Sequence, residues 1–359
     1  MKNGNYYLLL ALTFFSVGNC AMERYHLRTE RAVQEQPPSI NYFFDASFIY
    51  WYAKEDGLNI GESAFINSSG VLFLPGDGQV FQSSFSYAPG FKLASGIKGE
   101  EWSVYAEYTW LRPRNSVTRN APASGTTLGS GVWTIDSWFL QTGPLSKPVT
   151  GTRLSSDWDL DLNMVDLLAG NPLHKTKHLD FFGFIGLRSA WIDQTLAINA
   201  IEALASAGGH SFFPSQPITS SNKSHSWGIG PKGGIDTRYL LPQGFRIEGM
   251  FAASLLYTRF TDVKHSEDPI TTLAIHPNGV DAKLGNYTSV RPNLELDLGI
   301  GWNVNWGRYG LDLSASYDFS IFWGQNVMRL LLDEFWAGTN AAAGDLYFEG
   351  MTATACFKF

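Results

Sequence analysis

Residues 293–306 read NLELDLGIGWNVNW, and residues 309–321 read YGLDLSASYDFSI. In both segments every second residue is apolar, and the residues between them are polar or glycine. Successive side chains of a β-strand point to opposite faces, so this alternation predicts two strands that each have one apolar face. Only Gly307 and Arg308 separate the two segments, and such a short connection predicts a hairpin.

The length of these segments distinguishes a membrane barrel from a soluble sheet. The segments contain 14 and 13 residues, whereas strands of soluble proteins usually run to about 5–6 residues. A tilted strand needs about 9–11 residues to cross a bilayer. We therefore predict that this hairpin spans a membrane.

Weaker copies of the pattern recur along the chain, and the connections between them are alternately long and short. Bacterial outer-membrane barrels have an even number of antiparallel strands, short periplasmic turns and longer external loops. We therefore predict an all-β fold, an antiparallel transmembrane β-barrel of about ten strands, or twelve if the segment GVWTIDSWFLQTG (131–143) adds to the barrel. Thr195–Ala207 has helical spacing and is a candidate for a short helix. The further strands are predicted near Phe44–Tyr52, Tyr87–Ile97, Trp102–Trp110, Trp158–Met164, Leu179–Asp193, Trp227–Tyr239, Phe245–Tyr257 and Tyr347–Phe359.

The N-terminus has the pattern of an export signal. Lys2 precedes an apolar run from Tyr6 to Val17, and small residues follow it. The run is shorter than the roughly 20 residues of a membrane-spanning helix, and no later apolar run approaches 18. We predict a signal peptide at 1–21, a flexible lead-in at 22–42 and the barrel at 43–359.

The placement of aromatic residues predicts which face of the barrel meets lipid. Amphipathic rings concentrate at both ends of membrane-spanning strands. The chain ends in Phe359, with Phe357 two positions earlier, and this ending resembles the terminal signature that the barrel assembly machinery reads. The predicted aromatic girdle consists of Trp102, Trp110, Trp302, Trp306, Tyr309 and Trp323.

The polar face of the strands is then predicted to line the lumen. An excess of acidic groups would favour cations, because charged rings set the selectivity of a pore. The alternative is a network of ion pairs that fills the barrel, since about eight strands are filled by side chains and 16 or more leave a channel. The predicted lumen-lining residues are Glu107, Asp157, Asp159, Asp161, Arg188, Arg246, Glu295, Asp297, Asp312 and Asp318.

No catalytic, metal or cofactor site is predicted. The net charge of −7 and the lack of a Lys/Arg cluster argue against nucleic-acid binding. Gly228, Gly230 and Gly233 have dinucleotide-loop spacing, but they lie within a strand pattern rather than at the start of a helix. His174 and His178 have the spacing of a metal pair, although they fall in a short turn. An acidic and histidine-containing group at Asp262, His265, Glu267 and Asp268 is a candidate for water activation at the external rim.

The chain resembles the pore-forming, major-outer-membrane-protein-like family of Legionella and the environmental Chlamydiales. The likeness spans about residue 43 to the end and implies an outer-membrane barrel that forms pores. The chain is poorer in cysteine than the chlamydial major protein, so a disulfide-linked coat is not implied. The likeness is carried by FFDASFIYWYAKEDGL (Phe43–Leu58), SYAPGFKLASGIKGEEWSVYAEYTWLRP (Ser86–Pro113), WDLDLNMVDLLAG (Trp158–Gly170) and SWGIGPKGGIDTRYLLPQGFRIEG (Ser226–Gly249).

Three functions remain open on the sequence. The first is a porin of the bacterial outer membrane, which passes small solutes or ions. The second is a closed barrel whose external loops serve as an adhesin or structural surface protein on a host. The third is a rim-site hydrolase, which is the least favoured. In each case the expected partners are outer-membrane lipid and the barrel assembly machinery, without a nucleic acid or a cofactor.

Overall fold

The computed structural model describes thirteen stretches of the chain. The signal peptide predicted at 1–21 and nearly all of the lead-in predicted at 22–42 lie outside the described residues, as does Phe359. The described residues are 41–67, 72–73, 78–99, 101–122, 129–135, 138–139, 149–201, 205–207, 210–212, 217–269, 279–306, 309–331 and 344–358.

Ten long antiparallel strands form a closed ring. Each strand pairs with the next along the chain, and the first pairs with the last, for example at Phe43 and Lys358. The ring therefore has no free edge, and the predicted ten-stranded barrel is confirmed. Its strands are β1 (Asn41–Glu55), β2 (Tyr87–Lys98), β3 (Ser103–Leu111), β4 (Arg153–Lys175), β5 (Leu179–Ile201), β6 (Ile218–Leu240), β7 (Phe245–Glu267), β8 (Tyr287–Trp306), β9 (Tyr309–Asn326) and β10 (Gly344–Lys358).

The shorter elements extend the ring or cover its mouth. Arg114–Asn120 continues β3 alongside β4, and Val280–Leu284 continues β8 alongside β7. A 3-10 helix at Pro242–Gly244 forms the turn between β6 and β7. Ala205–Ala207 pairs with His210–Phe212. No helix within these described stretches is both long enough and apolar enough to span a membrane. A small separate sheet contains Asn59–Asn67, Leu72–Phe73, Val80–Gln82, Gly129–Ile135 and Val149–Gly151.

Two local predictions are corrected. The segment 131–143 does contain part of a strand, but that strand belongs to the small sheet, so the barrel keeps ten strands. Residues 195–201 are not helical, because they complete β5 and pair with both β4 and β6. Pairing on two sides outweighs a weak helical spacing.

Strands β4 to β7 are much longer than a membrane requires. Each has 23 residues, which corresponds to roughly 75 Å of extended chain. The hydrocarbon core is about 30 Å thick, and a tilted strand crosses it in about 9–11 residues. About half of each strand therefore lies outside the membrane, on the side of the long connections.

The outward face of these long strands changes character along its length. On β5 the exposed residues Ile185, Leu187 and Trp191 are followed by Asp193. On β7 the exposed Leu255 and Tyr257 are followed by Arg259 and Asp262. We place the external boundary of the membrane at this change, since lipid requires apolar contacts and water does not.

The inward face changes in the opposite sense at the same level. Below the boundary it carries buried charges, among them Arg188, Lys232 and Asp312, beside a smaller hydrophobic cluster. Above the boundary it is mainly apolar on β4 and β5, where Trp158 and Leu196 are buried in the largest hydrophobic cluster. Within the membrane the barrel has apolar side chains outside and charged side chains inside. Beyond the membrane it has polar side chains outside and an apolar core, as a soluble barrel does.

Candidate lumen site

Four charged side chains from four different strands meet inside the membrane section. The guanidinium of Arg188 donates through Nε to Asp166 Oδ1 at 2.7 Å and through Nη1 to Asn293 Oδ1 at 2.6 Å, and it also pairs with Glu295. The Lys232 ammonium lies 2.8 Å from Asp166 Oδ2 and 2.6 Å from Glu295 Oε2. Two positive and two negative charges therefore neutralise one another. We refer to Asp166, Arg188, Lys232 and Glu295 as the central cluster.

Two further groups of ion pairs lie on either side of the central cluster. Lys92 Nζ is 2.9 Å from Asp318 Oδ2, and Thr352 donates to the same oxygen at 2.8 Å. Near the periplasmic end, Arg246 Nη2 is 2.7 Å from Asp312 Oδ1, and its Nε is 2.7 Å from Glu248 Oε2. These pairs link β2 to β9 and β7 to β9 across the interior.

A small cavity remains between these groups. Its volume is about 90 Å³, which is room for a few water molecules. The charged residues around it are mostly acidic: the acids are Asp45, Glu107, Asp236, Glu295, Asp297 and Asp318, and the bases are Lys92, Arg188 and Lys232.

Above the membrane boundary the interior is closed by apolar side chains. Trp158 is fully buried, and Trp133 of the small sheet belongs to the same cluster. Within this layer Trp158 Nε1 donates to Gln194 Oε1 at 3.1 Å, and Gln194 Nε2 donates to Glu55 Oε1 at 3.0 Å. Burial raises the pKa of Glu55 to about 8, because desolvation penalises its charged form.

Seven of the ten predicted lumen-lining residues lie inside the barrel. Asp297 is half-buried beside the cavity and faces the same interior as the rest. The seven come together in the ion-pair groups or around the cavity. They are Glu107, Arg188, Arg246, Glu295, Asp297, Asp312 and Asp318.

The inward orientation predicted for Asp157, Asp159 and Asp161 is wrong. Asp157 and Asp159 are exposed on the outer surface, and Asp161 lies 3.7 Å from Arg112 on that surface. The reason is that this part of β4 lies outside the membrane. Water covers the outer face there, so the polar half of the alternation faces outward and the apolar half faces inward.

Several interior residues were not predicted. Asp166 follows the predicted strand Trp158–Met164 and lies on its buried face, which the prediction had turned outward. Lys232 lies within the glycine pattern at 228–233, which belongs to β6. The alternation itself could have identified others. Every second residue of β7 shares a face with Arg246, so Glu248 also points inward, and Arg238 lies directly opposite Glu248 on β6.

The predicted girdle residues lie on the outer face. Trp102, Trp306 and Tyr309 are exposed near the periplasmic turns, and Trp323 is exposed near the other boundary. Trp110 and Trp302 are half-buried on the same face. Phe357 is also exposed, at the periplasmic end of β10.

Of the four rim residues considered for water activation, His265 and Glu267 lie together inside the barrel, whereas Asp262 and Asp268 are exposed. His265 is buried and faces the interior, where Nε2 lies 2.6 Å from Glu267 Oε1 and Nδ1 lies 2.7 Å from Asn222 Oδ1. Asp262 is exposed on the outer face, opposite His225. In the described part of the chain, no group of three or more His, Cys, Asp or Glu side chains has an arrangement that could hold a metal ion.

Residues 37–358 match a protein family described as the Legionella pneumophila major outer membrane protein precursor. The chain belongs to this family. The match confirms the resemblance seen in the sequence and places the barrel in the bacterial outer membrane. No curated protein sequence matches the chain.

Among solved structures, the fold is similar to several outer-membrane barrels at low sequence identity. The outer membrane protease OmpT from Escherichia coli is 10% identical, with 89% of this chain and 96% of that chain covered and a TM-score of 0.39. The toluene transporter TodX of P. putida is 7% identical, with 89% of each chain covered and a TM-score of 0.22. A Pseudomonas aeruginosa FadL homologue is 7% identical, with 89% of this chain and 90% of that chain covered and a TM-score of 0.24. Similarity at this level says nothing about substrate.

Proposed function

We propose that this family member acts as a closed outer-membrane barrel that presents a large protein surface outside the cell, rather than as a general diffusion pore. The observation that carries the proposal is the central cluster. Its four charged groups come from β4, β5, β6 and β8 and meet across the interior. Asp166 lies 2.5 Å from Arg188 and 2.8 Å from Lys232, and Lys232 lies 2.6 Å from Glu295. A solute could pass only after these contacts separate.

The energy of that separation supports a closed resting state. Removing one partner of a buried ion pair costs about 3–5 kcal/mol, because the other charge is left without compensation. A conformation that breaks one such contact is therefore populated at about 1% or less. The apolar layer around Trp158 adds a second barrier above the cluster.

Single-channel recording in planar lipid bilayers tests the proposal. The wild-type barrel should give no stable open steps. A variant with all four residues of the central cluster changed to Ser keeps the charge balance but removes the bulk, and it should give measurable steps. The matched control changes the outward-facing residues Asp157, Asp159 and Asp161 to Ser and should stay closed. Stable, long-lived steps from correctly folded wild-type protein would contradict the proposal.

A narrow cation pathway is the second candidate, and the acidic excess around the cavity favours it. The same recordings distinguish it from a closed barrel. If wild-type protein conducts, a salt gradient should give a reversal potential that favours cations, and Asp297→Asn with Asp318→Asn should reduce that preference. Conduction without preference for cations would reject this candidate as well.

A surface role implies contacts with partners outside the cell. The exposed half of β4 to β7 and the connections beyond it are the parts that a host surface or a neighbouring protein would meet, and lipid with the assembly machinery would meet the outer face and Phe357. No catalytic step is included, since the buried pair of His265 and Glu267 is separated from the exposed Asp262 and Asp268. Binding of the purified protein to host cells, compared with the Asp157, Asp159 and Asp161 variant, tests the adhesive form of this role.

A further inference from the structure

Three lysines lie side by side on the outer face of the barrel, just outside the membrane. Lys223 on β6 is the direct partner of Lys264 on β7, and Lys264 is the direct partner of Lys283 in the strand Val280–Leu284. Lys223 and Lys283 are exposed, and Lys264 between them is partly exposed. We refer to these three residues as the lysine row.

Like charges directly opposite one another on neighbouring strands destabilise a sheet. One neighbouring carboxylate relieves part of this repulsion, because Asp281 Oδ1 lies 3.3 Å from Lys264 Nζ. The other nearby carboxylates are Asp262 and Asp193, and Asp193 is bound to His225 at 3.0 Å. A row of three cations on a chain of net charge −7 is therefore an arrangement that favours an external anion.

The height of the row above the membrane indicates which anion is available. Tyr257 is the last exposed apolar residue on β7, Arg259 follows two residues later, and Lys264 follows after seven. With a rise of about 3.3 Å per residue along a tilted strand, Lys264 lies on the order of 15 Å above Tyr257. The polar lipid region begins at Tyr257 and is roughly 5–8 Å deep on each side of the bilayer. Arg259 therefore lies among the head groups, and the lysine row lies above them.

We propose that Arg259 and the lysine row bind the phosphate groups of a phosphorylated glycolipid in the outer leaflet. The arginine guanidinium can bind a phosphate with two parallel hydrogen bonds, and the lysines act as point charges. A glycolipid with a large charged head extends upward from the bilayer and reaches both levels, whereas a phospholipid phosphate reaches Arg259 alone.

Lipid binding to the full-length protein in detergent micelles tests this inference. The probes are bisphosphorylated lipid A carrying its inner-core sugars, the same lipid after phosphatase treatment, and phosphatidylglycerol. The variant changes Lys223, Lys264 and Lys283 to Gln. The matched control changes Lys54, Lys175 and Lys177 to Gln, which removes the same charge at the outer rim and at the periplasmic turn.

The wild-type protein and the control should bind the phosphorylated glycolipid about 10- to 100-fold more tightly than the lysine-row variant at low salt. The difference should shrink as salt is added and should disappear with the dephosphorylated lipid. Equal binding by wild-type protein and the lysine-row variant would overturn the inference. An equal loss of phosphatidylglycerol binding would also overturn it, because the site would then recognise any anionic membrane.

Discussion

Replacing Arg188 by Met should destabilise the barrel strongly. Arg188 is 2% exposed and is bound to Asp166, Glu295 and Asn293. Without it, Lys232 alone faces two carboxylates, so one negative charge is left without compensation inside the barrel. Breaking a buried pair in this way costs about 3–5 kcal/mol. With an m value of about 3 kcal/mol/M, the urea midpoint should fall by roughly 1–2 M.

A second substitution separates this charge effect from a loss of packing. The double variant Arg188→Met with Asp166→Leu removes one charge of each sign and leaves the Lys232–Glu295 contact at 2.6 Å. Replacing a buried pair by apolar side chains is often close to neutral, so the double variant should recover most of the lost stability. Urea unfolding in lipid vesicles, followed by tryptophan fluorescence, measures both variants.

The control is Arg112→Met on the outer surface, where Arg112 lies 3.7 Å from Asp161 and is half exposed. An exposed pair of this kind contributes about 0–1 kcal/mol. If Arg188→Met changes the free energy of unfolding no more than Arg112→Met does, or if the double variant is as unstable as the single one, then the central cluster does not hold the strands together.

Three further outcomes are expected. Burial raises the pKa of Glu55 from 4.5 to about 8, so the folded state favours the neutral acid. The free energy of unfolding should therefore fall as the pH rises from about 4.5 and should level off above about 8. Glu55→Gln should flatten this profile when urea midpoints are measured across the pH range. Trp158→Ala should cost about 3–5 kcal/mol through the cavity it leaves, whereas Trp306→Ala on the exposed periplasmic end should cost far less by the same assay. On intact cells, Asp159→Cys should react with a membrane-impermeant maleimide and Gln194→Cys should not, which would place the outward face of β4 in water.

The strand pattern of the barrel could be predicted because it is local. Alternation in residues 293–306 and 309–321 requires one apolar face whatever lies elsewhere, and the tight turn between these segments fixes their pairing. The number of strands followed from repeating the same test. The separate small sheet did not follow, because its strands are short and their pairing joins residues far apart in the sequence.

The direction of each face could not be predicted so well. Alternation shows that two faces differ, but it does not show which of them meets lipid, water or the interior. Arg188 and Asp159 were assigned to the interior by the same rule, and only Arg188 lies there. The rule failed for Asp159 because β4 continues past the membrane. Its outer face is covered by lipid in the first part and by water in the second, although the alternation of residues continues unchanged. The length of β4, with 23 residues, was the available warning.

The reversal of polarity along β4 to β7 has a consequence for how the protein is built. The part of the closed ring that lies outside the membrane carries charged residues on its outward face. These residues would have to enter lipid if the ring moved along the membrane normal; they are Asp159, Asp193, Lys223 and Arg259. A finished barrel can therefore neither be pushed outward through the bilayer nor drawn back. The four long strands must therefore reach the cell exterior before the ring is complete, and completion includes the pairing of β1 with β10. Depth in the membrane is thus decided during assembly and is retained for the lifetime of the molecule.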